Sequence, residues 1–208
     1  MNNTAEILNH ITRIKAIADI GLLYSKEGYD RDNYRELKEI SLQLLHKLTS
    51  ENLEDIKNFY AEAKDYPTVK VDIRALVLSP EKKILMVRES IDGKWALPGG
   101  WADIGYSAKE VITKEVKEET GLDVIPKKLL AVFDKKMHPH PPAPFYIYKM
   151  VFYCEPVSAE LKKGFDLLDV QYFDLANLPT LSENRIVKSQ IEMCFQKVMN
   201  GDRETYFD

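Results

Sequence analysis

Apolar positions recur every three or four residues through the first third of the chain, and the elements they predict are helices. Ile7, Ile11, Ile14, Ala18 and Leu22 form one stripe with Ile17 beside it. Leu37, Ile40, Leu44, Leu45 and Leu48 form a second, and Leu53, Ile56, Phe59 and Tyr60 a third. Gly28 and Asp30 to Asp32 mark the first break, Ser50 is placed to cap the third helix, and no proline occurs before Pro67. At Pro67 the periodicity changes. Val69 to Leu78 is β-branched and partly alternating, Ser79 and Pro80 turn the chain, and Ile84 to Arg88 reads as the returning strand. Leu129 to Phe133, Phe145 to Cys154 and Val170 to Phe173 read as further strands, whereas 107–120 and 183–199 carry helical patterns. The pattern predicts a small all-α domain over 1–66 followed by an α/β sandwich-like domain over 67–208. So small a helical unit has little core of its own and must pack on the larger domain or on a second subunit, which predicts a homodimer.

Composition narrows the class without naming a chemistry. The 208 residues are 45% hydrophobic and 30% charged, ordinary for a globular protein. A net charge of −4 supplies no global positive field for nucleic acid or an anionic membrane, so a phosphate ligand needs local cations. No basic helix-turn-helix segment is present, and nucleic acid is not an expected partner. Nowhere do about 18 apolar residues run together, so no membrane span is predicted. The start of the chain has neither the basic nor the apolar stretch of a secretory signal. Cys154 and Cys194 stand in no metal-binding spacing and read as buried free thiols. Together these features predict a cytoplasmic protein.

The chemistry concentrates in 98–122. Ser107 and Glu110 form an S-x-x-E capping box, and Gly121 is placed as a left-handed stop, so a helix of about four turns lies between them. On a 3.6-residue wheel Ala108, Val111, Ile112 and Val116 share one face, and Lys109, Thr113, Lys114 and Lys117 spread over the other. Glu115 and Glu119 fall on the apolar face, with Glu118 at its edge. Two carboxylates side by side in poor solvation repel one another unless a cation sits between them. A hard divalent cation with oxygen ligands answers that need, and Pro98-Gly99-Gly100 offers permissive backbone whose carbonyl could complete its shell. The plainer alternative is a surface helix laced by pairs such as Glu110–Lys114 and Lys114–Glu118.

The same residues resemble the signature of the Nudix family, G-x5-E-x7-R-E-U-x-E-E-x-G-U with U aliphatic. Gly100, Glu115, Val116, Glu118, Glu119, Gly121 and Leu122 match at the right spacing. Tyr106 stands where the first glutamate is expected, and Lys114 where the arginine is expected; a lysine supplies charge but not a two-pronged fork. Ile14 to Tyr34, Trp95 to Asp103 and His138 to Pro142 also resemble a Nudix subgroup with a helical N-terminal domain, which includes CDP-choline and ADP-ribose pyrophosphatase-like proteins. The resemblance implies a Nudix-type α/β/α sandwich with a mixed sheet. It implies Mg²⁺ or Mn²⁺ held by Glu115, Glu118, Glu119 and the Gly99 carbonyl, and hydrolysis of a nucleoside diphosphate-linked small molecule, CDP-choline or ADP-ribose favoured, to a nucleoside monophosphate.

Glu118 and Glu119 are then catalytic as well as metal-binding, and Asp166, with Asp169 nearby, is the candidate general base. Arg88, Lys114, His138 and His140 are candidate substrate contacts, and Trp101 and Phe145 candidates for stacking on a base. Cleavage of nucleoside triphosphates, and a non-catalytic nucleotide sensor, are the competing functions.

Overall fold

The computed structural model describes residues 3–26, 28–49, 51–59, 66–143 and 146–208. The chain divides into two compact units, one of residues 1–69 with 142–146 and one of 70–141 with 147–208.

The first unit is helical. It comprises α1 (Asn3–Tyr24), α2 (Gly28–Thr49) and α3 (Leu53–Phe59). The expected break at Gly28 and Asp30 to Asp32 is instead the first turn of α2, where Asp30 complements the helix dipole. The break comes earlier, and Arg31 Nη1 donates to the Leu22 carbonyl in the last turn of α1 and to the Ser25 carbonyl just beyond it. Ser50 lies outside the described residues, as does Tyr60. The side chain of Asn52 accepts from the Glu54 amide and caps α3. Leu8, Ile11, Leu42, Leu45 and Ile56 make the core, with Leu48 and Leu53 against it. The predicted stripes divide: Ile7, Ile14, Ile17, Ile40 and Leu44 are exposed, while Lys15, Asp19, Lys38 and Ser41 are buried.

The second unit opens with β1 (Lys70–Val77), β2 (Ile84–Glu89), β3 (Trp95–Ala96), β4 (Gly99–Trp101) and α4 (Ala108–Thr120). It continues with β5 (Val124–Asp134), β6 (Ile147–Pro156), β7 (Leu167–Phe173), α5 (Lys188–Met199) and β8 (Tyr206–Phe207). A mixed sheet runs in the order β4-β1-β6-β5-β8, with β1 and β6 parallel, and an antiparallel sheet runs β3-β2-β7. Alternation along β1 serves two cores. Ile73, Ala75 and Val77 meet Val111, Ile112 and Val116 of α4, whereas Leu76 joins Ile191 and Cys194 of α5. This is the expected α/β/α sandwich preceded by helices. Each of Val111, Ile112 and Val116 is essentially inaccessible, contributing about 1.5–3 kcal/mol.

Three short strands, β3, β4 and β8, carry no periodic pattern and were not anticipated. The helix predicted from 183 begins only at Lys188, because Ser182 first turns the chain, its carbonyl accepting from Arg185 and Ile186. Cys154 and Cys194 are buried free thiols, and burial raises both to about 12. Among the described residues no helix is long and apolar enough to cross a membrane.

Candidate active site

Helix α4 is set by its ends. Ser107 accepts from the Glu110 amide while Glu110 Oε2 accepts from the Ser107 amide at 2.8 Å, and Gly121 stops the helix at φ 75°. Between these caps, Glu115 and Glu119 project one turn apart toward strand β4. The Gly99 amide donates to Glu119 Oε2 at 2.7 Å. A Cβ on Gly100 would lie 2.9 Å from Glu115 Oε1, and one on Gly99, at φ 138°, would lie 2.0 Å from the Ile73 carbonyl oxygen. Gly100 lets β4 approach the Glu115 carboxylate on α4, and Gly99 lets β4 lie close against β1 while its amide faces Glu119.

The electrostatics of the pair are strained toward neutrality. Burial raises Glu119 to about 8, with Glu115 and Glu89 adding to the effect; Arg74 and the Gly99 amide oppose it. Glu115 is also raised, by burial first and then by Glu118. Two neighbouring carboxylates whose pKa values are both pushed up by burial and mutual repulsion are suited to a divalent ion, which would offset both. Among the described residues no three acidic, histidine or cysteine side chains converge to hold one alone. Mg²⁺ needs only one or two carboxylates, with water and substrate phosphate supplying the rest, so Glu115 and Glu119 fit it. Glu118 is exposed at the edge of the helix.

Asp166 belongs to this neighbourhood. The Gly164 amide donates to the Glu119 carbonyl at 2.9 Å, and a Cβ on Gly164 would meet the Glu118 carbonyl at 2.8 Å, so the loop before β7 is latched to the end of α4. Asp166 itself is exposed and contributes to the negative field at Glu89. Asp169 turns instead to the Val170 amide.

The other candidates are placed differently. Arg88 is exposed and donates to the Gly93 carbonyl within its own turn. Lys114 makes neither of the pairs expected along α4. It bonds Asp103 at 3.1 Å and sits 5.5 Å over the Tyr106 ring, so the two departures from the signature face each other. His138 pairs with Asp208 at 3.0 Å and stands edge-on to Phe133; His140 Nδ1 faces the Glu183 carbonyl. Trp101 is half-exposed with Lys70 over its ring, and Phe145 lies outside the described residues.

Two residues at the centre were missed. Arg74, on β1, bonds Asp72 through Nε at 2.9 Å and the Leu97 carbonyl through Nη1 at 3.1 Å. Burial works against its charge, yet Asp72 and Glu119 outweigh burial and raise its pKa. Glu89, beside Arg88 on β2, is buried and pairs with Arg185 at 2.7 Å. The available signal was charge inside otherwise apolar strands: Asp72 and Arg74 in β1, Glu89 closing β2.

A carboxylate pair on a capped helix, pressed on a double glycine inside an α/β/α sandwich, is the arrangement that the sequence resemblance led us to expect. The chain belongs to the Nudix family: residues 68–192 match the NUDIX domain and residues 5–60 the UDP-X-like, N-terminal oligomerisation domain. It is a Nudix pyrophosphatase. A Bacillus subtilis protein provisionally named ADP-ribose pyrophosphatase YjhB is 39% identical over 97% of this chain and 96% of that one. A crystal structure described as a UDP-X diphosphatase superposes with a TM-score of 0.63 at 34% identity, over 99% of both chains. A Streptococcus suis structure described as an ADP-ribose pyrophosphatase gives 0.61 at 35% identity, over 68% of this chain and all of that one.

Proposed function

We propose that this protein hydrolyses the diphosphate bridge of nucleoside diphosphate-linked compounds in a Mg²⁺- or Mn²⁺-dependent reaction, releasing a nucleoside monophosphate. The observation that carries the reading is the Glu115–Glu119 pair, half-buried side by side against Gly99 and Gly100, with burial raising both carboxyls and Arg74 only partly offsetting it. ADP-ribose is the leading substrate by likeness to the relatives; CDP-choline, favoured with it by the signature and flanking motifs, is the comparator.

A divalent ion bound here would neutralise diphosphate charge and make water a better nucleophile. Glu115 and Glu119 would hold it, with Glu118 at the rim and the Gly99 carbonyl as a further donor. The Gly99 amide fixes the Glu119 carboxylate in one orientation. Asp166, carried by the latched loop, is the proposed base that accepts the proton of the attacking water. The helical unit is proposed to join two copies of the chain through Ile7, Ile14, Ile17, Ile40 and Leu44, which it leaves exposed.

The test incubates purified protein with ADP-ribose, CDP-choline, UDP-sugars and nucleoside triphosphates, with Mg²⁺ or Mn²⁺, and separates the products by ion exchange. Metal-dependent release of AMP or CMP, abolished in Glu119→Gln, is expected. Release of pyrophosphate from triphosphates alone would replace the substrate class. No turnover with nucleotide binding intact would make the protein a sensor.

A further inference from the structure

Across the mixed sheet, Asp72 of β1 lies level with Lys149 of β6, and Lys149 with Phe133 of β5; Lys135 follows two residues beyond Phe133. Asp72 is the carboxylate at one end of this row, and both its oxygens are committed. Oδ1 accepts from Arg74 Nε and Nη2, each at 2.9 Å, and Oδ2 accepts from Lys149. Lys135 is 7% exposed, yet among the described residues its ammonium makes no ion pair or hydrogen bond. Burial, then repulsion by Lys149, lowers it to about 8. Its stem is buried while Asp72 supplies the only favourable charge among the causes of its shift, so its donors stay open to a ligand.

The neighbouring histidine is left open in the opposite sense. A carbonyl only accepts, so the contact to Glu183 fixes the proton of His140 on Nδ1 and leaves Nε2 as a bare lone pair. Nε2 is buried and has no partner. Burial, with Lys149 and Lys135 contributing, lowers His140 to about 4 and keeps it neutral. Unused donors and an unused acceptor therefore share one polar neighbourhood.

That combination selects a chemistry. A phosphate oxygen would satisfy the ammonium groups but present its own lone pairs to Nε2. A quaternary ammonium satisfies neither and is repelled by Lys135 and Lys149. A hydroxyl does both, accepting from a lysine and donating to the imidazole. The place fits as well: Arg74 grips Asp72 while its charge faces Glu119 and Glu89, so one residue joins this row to the carboxylate site.

Resting on the pyrophosphatase reading above, we propose that Lys135, Lys149 and His140 form the subsite for the hydroxyl-bearing group linked to the nucleoside diphosphate, making the enzyme selective for sugar-linked over choline-linked substrates. A nucleobase amide edge offers the same adjacent donor and acceptor, and the experiment separates the two sources.

The full-length protein is titrated calorimetrically in EDTA, which prevents turnover, with ADP-ribose, UDP-glucose, ADP and CDP-choline. Wild type binds the two sugar compounds more tightly than CDP-choline. Lys135→Met weakens both by about tenfold, the scale of one hydrogen bond to a charged group, and loses little on ADP, which lacks a linked group. Its Tm holds or rises by about 2–4 °C, since an unpaired buried charge is removed. His140→Phe, which keeps a ring but no acceptor, weakens the same two ligands. An equal loss on ADP assigns the subsite to the base and overturns the proposal. So do unchanged affinities in both variants, a wild type that binds no sugar compound, or a Lys135→Met that lowers Tm, which marks a structural lysine. Turnover is scored separately: activity without selectivity sinks only the subsite, and selective binding without activity sinks only the hydrolase.

Discussion

Helices α1 and α2 bury Asp19 at 1% exposure between two lysines, Lys15 at 2.5 Å on one oxygen and Lys38 at 3.0 Å on the other, the second an ion pair without hydrogen-bond alignment. The catalytic unit buries charge as well, but leaves it unfinished: Glu119 has a backbone amide and a share of Arg74, and Lys135 has no partner. The helical triad sets one buried carboxylate between two lysines of its own unit. Glu119 and Lys135 are held on one side only, each open to what the proposed cation or substrate would bring. Burial alone does not mark a functional charge; burial with an open valence does.

Two substitutions set the regions against each other. The largest effect is expected from Glu119→Gln, which should lower kcat/KM by at least about a hundredfold, beyond the usual cost of losing a supporting group around a metal. Without metal its Tm should not fall, because the amide copies the shape of the protonated acid that burial favours. Asp19→Asn should do the reverse in the helical unit. It removes the negative charge that faces two buried lysines and should cost about 3–5 kcal/mol, measured by denaturant unfolding. A Glu119→Gln protein as destabilised as Asp19→Asn would erase the distinction between the two regions.

The sequence made α4 legible because three local signals agree there: a capping box, a glycine stop, and carboxylates on the wrong side of an apolar stripe. Residues 70–89 were legible as strands, and their helical predecessors as helices, from periodicity alone. Arg74, Glu89 and Lys135 were not, since what they do depends on strand register and on residues up to a hundred positions distant, such as Arg185 against Glu89. Arg88 illustrates the converse. It was a candidate phosphate contact, but the strand turns Arg88 out to solvent and buries Glu89 beside it. The lysines of α1 and α2 escaped notice because Ile7 and Ile14 supply the stronger apolar pattern and yet face outward.

Lys135 extends the comparison to pH. Its folded pKa, about 8, lies below the ordinary 10.5, so between these values the unfolded chain binds more protons than the native one. Stability therefore carries a penalty that is full below pH 8 and relieved as pH rises toward 10.5. Lys15 is lowered in the same direction, burial outweighing Asp19, and contributes to the same trend. Melting curves of wild type and Lys135→Met from pH 7 to 10 should converge as pH rises, the variant being ahead at the lower end. Parallel curves would mean that Lys135 has found a partner and is closed after all.

The smallest effect is expected where charge is exposed. Lys114 and Tyr106 replace an arginine and a glutamate of the family signature, and they meet as an ammonium over a ring, with Asp103 completing the contact. Such a contact holds the segment between β4 and α4 in place rather than orienting Glu115 or Glu119, which Gly99 and Gly100 already confine. Lys114→Ala and Tyr106→Ala should each lower kcat/KM by about twofold to fivefold, the scale of an exposed cation–π contact, with Tm changing by no more than about 2 °C. The double variant should be no worse than either single one, because both remove the same contact. A loss as deep as that of Glu119→Gln would instead put Lys114 among the groups whose valence is open, and would move the boundary between the two kinds of charge onto the surface of α4.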